Sequence, residues 1–229
     1  MVQAEAGYVV GMLLGMRHAL EPDHLAAVST LVSQERGAGR GALLGVCWGL
    51  GHSVALAGVG LTLAFAGRQM PPVMADVFEL GVSVMLIALG VRALKLALRQ
   101  GGEGPAAVHE HGDLRHEHPG QHPHVHLGSR VFALRSLAVG IVHGLAGSGA
   151  LTALVLAKLP TAASQAAYML LFGLGSICGM TLLSGLAGWP LASLGRHPLA
   201  ARAVSACAGA LSALLGLAWG VAPAGRLLS

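Results

Sequence analysis

GMRHALEPDHLAAV, residues 15–28, sets an arginine, two histidines, a glutamate, a proline and an aspartate inside an otherwise apolar segment. GYVVGMLL (7–14) precedes it and STLV (29–32) follows it. The chain around it has 229 residues, of which 54% are hydrophobic and only 10% charged. A soluble domain carries roughly 25% charge, so this is the composition of a membrane protein. Several stretches of about 20 residues are nearly free of charge, enough to cross a hydrocarbon core of ~30 Å. Hydropathy places candidate spans near 7–33, 41–67, 76–98, 131–158, 165–190 and 203–223.

The opening segment has a counterpart in the second half. GMRHALEPDHLAAV aligns with GIVHGLAGSGALTA (140–153), matching Gly15 to Gly140, His18 to His143 and Leu20 to Leu145. WGLGHS (48–53) aligns with FGLGSI (172–177), and IALGV (87–91) with ALLGL (213–217). The offsets are 125, 124 and 126 residues, so one register runs through three pairs of spans. Three spans per repeat is an odd number, so the second copy enters from the opposite face. The expected fold is therefore an all-α integral membrane protein of six transmembrane helices in two inverted repeats. The first repeat is 1–98 and the second 131–229, with a polar connector, 99–130, between them. Transporters built this way bind their cargo near the midplane, between the repeats.

Charge sets the orientation. Arg36, Arg40, Arg92, Lys95, Arg99, Arg115, Arg130, Arg135, Arg196 and Arg202 cluster at one set of connectors, ten residues against three (Arg68, Lys158, Arg226) on the other. The positive-inside rule puts the richer side in the cytoplasm, with both termini outside and connector 99–130 inside. The plasma (inner) membrane of a bacterium is the expected location. MVQAEAG at the N-terminus has no basic n-region, so the first span reads as retained. Cys47, Cys178 and Cys207 all fall in apolar spans and read as reduced thiols. The glycines at i, i+4 (Gly7, Gly11 and Gly15; Gly45 and Gly49; Gly140 and Gly144; Gly175 and Gly179) read as close helix packing. A net charge of +4 sorted in this way suggests no nucleic-acid partner.

The centre of the first span lies near residue 20, which puts RHALEPDH (17–24) at greatest depth. An ionised side chain there costs about 2.5–3.5 kcal/mol, so three without partners would cost on the order of 8–10 kcal/mol. Pro22 cannot donate to the carbonyl of His18 and its ring clashes there, so the helix kinks or breaks. Bare backbone at this depth is tolerated only inside protein or beside a wet cavity. Neutral imidazole with carboxylate suits borderline divalent metals such as nickel, cobalt, zinc or copper, and suits calcium or magnesium less. His18, Asp23 and His24 are the candidate ligands, joined by His52 in GLGHS at similar depth. Arg17 and Glu21, four residues apart, form either an internal ion pair or part of the ion's surroundings. His143 is either a pathway group or core, with Ser148 replacing Asp23 in its repeat and Ser176 standing opposite His52. Met16 and Cys47 are soft side chains nearby that read as packing.

The connector holds seven further histidines, His109, His111, His116, His118, His122, His124 and His126. Histidine alternating with Glu, Pro and Gly cannot build a packed core and reads as disordered. Such tracts bind metal loosely, so capture or sensing of the same ion is expected of it.

The H-x4-D-H pattern of His18, Asp23 and His24 on a transmembrane helix, with GLGHS on the next, resembles the nickel/cobalt transporter family and its urease-accessory-like permease branch. The resemblance covers about 7–223. It implies recognition of nickel or cobalt by His18, Asp23, His24 and His52 in a secondary permease, with no cofactor beyond the ion. The longer importers of the family have eight spans. The L-E-P within the motif and the histidine-rich loop look like the family's efflux branch, whereas Asp23 favours uptake. No nucleotide-binding G-x4-G-K-[ST] occurs, so gradients or membrane potential would drive transport. The competing readings are an intramembrane metalloenzyme, with Glu21 as base, and a metal sensor. The metalloprotease signature H-E-x-x-H is missing from the sequence.

Overall fold

The computed structural model describes residues 2–33, 37–67, 70–99, 108–111, 114–117, 129–145, 159, 161–194 and 197–229. Seven helices are found among them: α1 (Val2–His18), α2 (Pro22–Val32), α3 (Ala38–Phe65), α4 (Pro72–Arg99), α5 (Ser129–Leu145), α6 (Ala162–Leu194) and α7 (Pro198–Leu228). Four hold segments long and apolar enough to cross a bilayer, Ala38–Leu63, Pro72–Arg99, Ala162–Pro190 and Leu199–Leu228. Each has 26–30 residues, so at 1.5 Å per residue each exceeds the ~30 Å core. Ala133–Leu145 is a shorter apolar helix. The remainder of the expected span 131–158 lies outside the described residues.

The first expected span, 7–33, is not one helix. α1 stops at His18, and the chain turns through Leu20 N–H to the Arg17 carbonyl (2.9 Å) and Glu21 N–H to the His18 carbonyl (3.0 Å). Pro22 then occupies the first turn of α2, where its missing N–H would have had no helical partner anyway. Glu21 before it adopts φ −63°, ψ 146°, the extended state into which proline pushes its predecessor. Of the two outcomes open in the sequence, kink and break, the break is the one that forms.

Helices from 1–98 and 131–229 interleave. α1 packs on α6, α5 on α3, α3 on α6 and α4 on α7, while α2 lies against α4, α6 and α7. Glycine makes these approaches close. A side chain at Gly15 would overlap the Phe172 carbonyl, one at Gly140 the Trp48 carbonyl, and one at Gly175 the Met12 carbonyl. In the same way Gly51 meets the Leu137 carbonyl, Gly90 that of Gly209, and Gly216 that of Ser83. Between the helices, Ser212 Oγ donates to the Leu86 carbonyl at 2.9 Å and Ser53 Oγ to that of Gly173 at 3.1 Å.

The outward surface is apolar to a degree unlike a water-soluble domain. Val54, Leu98, Leu170, Leu186 and Trp189 face outward, whereas Ser83, Ser184, Ser212 and four histidines are buried. In water the large apolar side chains would be the buried ones; in lipid, outward leucine costs nothing and polar groups must find protein. The main core cluster gathers Ala19, Val28, Trp48, Leu86 and Met180 around the helix break. At one end of α4, Arg226 reaches Asp76 at 2.6 Å and Glu79 at 3.2 Å, tying α7 to α4.

In the connector expected to lack structure, Val108–His111 (β1) and Leu114–Glu117 (β2) pair antiparallel, His109 opposite His116. Residues 100–107, 112–113 and 118–128 lie outside the described residues.

Candidate metal centre

The break brings the motif side chains together. His18 is the last residue of α1, while Asp23 and His24 sit in the first turn of α2. His52 comes from the middle of α3 and His143 from the last turn of α5. All four imidazoles are at most 4% exposed. His18 Nε2 and His52 Nε2 stand 3.0 Å apart. The His24 ring lies 4.4 Å from that of His18 and 4.1 Å from that of His143, centre to centre. Asp23 Oδ2 faces His143 Nε2 at 2.8 Å, and Asp23 Oδ1 faces both the backbone N–H of His24 (3.0 Å) and its Nδ1 (3.2 Å).

Two sets of donors are compact enough to hold an ion. The ligating atoms of His18, His24 and His52 lie within 4.8 Å of one another, as do those of Asp23, His24 and His143. Ligands about 2.1 Å from one metal stand roughly 3–3.5 Å apart, so a small contraction closes either set. His24 Nε2, His52 Nδ1 and His143 Nδ1 are buried without a hydrogen-bond partner among the described residues. Leaving a buried polar atom so costs about 1–3 kcal/mol, which a cation at the lone pairs would offset.

The remaining candidates are dispersed. Glu21 Oε1 is 3.0 Å from His18 Nδ1, so among the described residues its ion-pair partner is His18 and not Arg17, which is exposed. Ser176 is fully buried with Oγ unpartnered among the described residues. Cys47 and Met16 are half-buried and belong to neither donor set. Ser148 and the loop residues His118, His122, His124 and His126 lie outside the described residues, while His109, His111 and His116 fall in β1 and β2.

Two aromatic walls went unnoticed in the sequence. The Trp48 ring lies 5.4 Å from His24 and 5.7 Å from His143, and Phe172 lies 5.5 Å from His18. They open the aligned motifs WGLGHS and FGLGSI, the signal that would have singled them out.

Among curated proteins, the urease accessory protein UreH of Bacillus sp. (strain TB-90) is 34% identical over 181 residues, covering 79% of this chain and 75% of the relative. The chain belongs to the nickel/cobalt transporter family, in its urease-accessory branch. No family model matches the sequence. No solved structure matches the chain.

For a member of the nickel/cobalt transporter family the donor chemistry is apt. Imidazole nitrogen with carboxylate oxygen favours later first-row divalent ions. Thiolate, which would draw copper(I), is missing from both donor sets. Trp48 and Phe172 flank four buried imidazoles, a setting in which electrostatic interactions are stronger than in water.

Proposed function

We propose that this protein is a secondary permease that carries nickel, cobalt or both across the plasma membrane, in the direction of uptake. The observation that carries the reading is the buried cluster of His18, Asp23, His24, His52 and His143 at a break between two helices. Interrupted helices at membrane depth are how transporters present cargo sites. The cargo ion needs no further cofactor, and no reaction chemistry is required of the chain.

Six spans in two inverted repeats account for the packing. Adding the sequence offset to one glycine contact generates another: Gly15 on Phe172 becomes Gly140 on Trp48, Gly175 on Met12 becomes Gly51 on Leu137, and Gly90 on Gly209 becomes Gly216 on Ser83. In this reading α1 and α2 form one interrupted span, and the expected span 131–158, which α5 begins, is its mate. The loop charges put both termini outside and the histidine-rich connector in the cytoplasm, where it would capture ions. Potential, inside negative, would drive a divalent ion inward with about 4–5 kcal/mol per 100 mV.

Export is the second reading, favoured by the histidine-rich loop. Proteoliposomes loaded with a nickel- and cobalt-quenched dye and clamped at either polarity separate the two. Potential-driven influx into vesicles of known orientation is expected. Tight ion binding with no flux at either polarity would sink the permease and leave a sensor; flux only outward from the cytoplasmic face would reverse the direction.

A further inference from the structure

The sequence makes Asp23 a ligand, but the geometry points to another duty. We propose that Asp23 is a positioning residue that does not touch the ion: it holds His24 in the tautomer that presents Nε2 to the metal and is itself held by His143. The inference rests on the permease reading and concerns the same site.

Three observations carry it. Both oxygens of Asp23 are already engaged, Oδ1 by the backbone N–H and Nδ1 of His24 and Oδ2 by Nε2 of His143. A carboxylate only accepts, so the protons sit on His24 Nδ1 and His143 Nε2. The nitrogens left with bare lone pairs are then His24 Nε2 and His143 Nδ1, and both are among the buried atoms with no partner among the described residues. A ligating histidine almost always gives its other N–H to a carboxylate, a backbone carbonyl or water, which fixes the ring and raises its basicity. The ion would then be held by His18, His24 and His52, an all-imidazole set whose donors lie within 4.8 Å, replacing the 3.0 Å contact between the Nε2 atoms of His18 and His52. His143, from the other half of the chain, supplies the fixed donor on the carboxylate's far side.

The test is sub-stoichiometric nickel added to the purified full-length chain in detergent, with affinity from calorimetry and ligand type from X-ray absorption. The connector's histidines are common to every variant, so differences report the buried site. Asp23→Asn must donate from its amide, which forces one imidazole into the wrong tautomer. Affinity should fall about 10–100-fold, with imidazole scattering and ligand number unchanged; His143→Gln should behave likewise. His52→Ala should lose one imidazole from the spectrum. Loss of an oxygen ligand in Asp23→Asn, or of an imidazole in His143→Gln, would overturn the assignment, as would unaltered affinity in Asp23→Asn. Should that variant fail to fold, carboxylate oxygen bound to nickel in the wild-type spectrum, and removed by Asp23→Ser, overturns it too. A wild-type chain that binds neither nickel nor cobalt shows no ligand spectrum and removes the permease reading itself.

Discussion

His143 donates from Nε2 to Oδ2 of Asp23 at 2.8 Å, across 120 residues of sequence. This bond ties the first turn of α2 to the last turn of α5, and so one half of the chain to the other, at the candidate site. The two partners face each other deep inside the protein, where the bond is stronger than it would be in water.

Flux should follow that bond. Asp23→Asn is expected to lower nickel flux in proteoliposomes at least tenfold while the chain still inserts and elutes as a folded species on size exclusion. Full flux in this variant would remove the carboxylate from transport.

The imidazoles should divide from the soft side chains beside them. His18→Ala and His52→Ala each delete a member of the three-histidine set, so nickel affinity should drop by about two orders of magnitude or more. Cys47→Ala leaves both donor sets intact and should bind within about twofold of wild type. Equal losses in all three variants, read by calorimetry, would mean that the cluster acts through packing and not through coordination.

Glycine contacts give a stability prediction with an internal control. Gly140→Ala drives a methyl into the Trp48 carbonyl and should cost about 1–3 kcal/mol by overpacking, a Tm loss of roughly 2–12 °C for a chain of this size. Gly58, also helical, has nothing within 4 Å of an added Cβ. Gly58→Ala should therefore keep or slightly raise Tm, since alanine is the better helix former. A thermal-shift assay in detergent reads both.

Removing 108–126 deletes seven histidines and leaves the buried cluster untouched. Apparent affinity at low external nickel should change while the maximal flux stays within about twofold. Flux that vanished would put the connector on the ion's route.

Legibility in the sequence followed physical locality. RHALEPDH was readable because charge, imidazole and proline at that depth have few innocent explanations, and Pro22 marked the break to within a few residues. Four of the expected spans appear as long apolar helices because hydropathy over about 20 residues is itself the cause of insertion. Partner choice was harder. The Glu21 contact with His18, in place of Arg17, depends on how α1 ends, and the His143 bond depends on α5 lying against α3. Trp48 and Phe172 escaped notice because an aromatic ring in an apolar helix looks the same in sequence whether it faces lipid or imidazole.

The seam between the halves is made of carbonyl oxygens resting on glycines, at Gly15, Gly51, Gly140 and Gly175. Side chains sit beside them in the same seam, the Tyr168 ring over Gly11 and Ile177 over Gly49. At the four glycines helix meets helix backbone to backbone, so the spacing there is set by atoms that no substitution of the facing residue can remove. The residues that let the helices come closest thereby gauge the distance between the two halves.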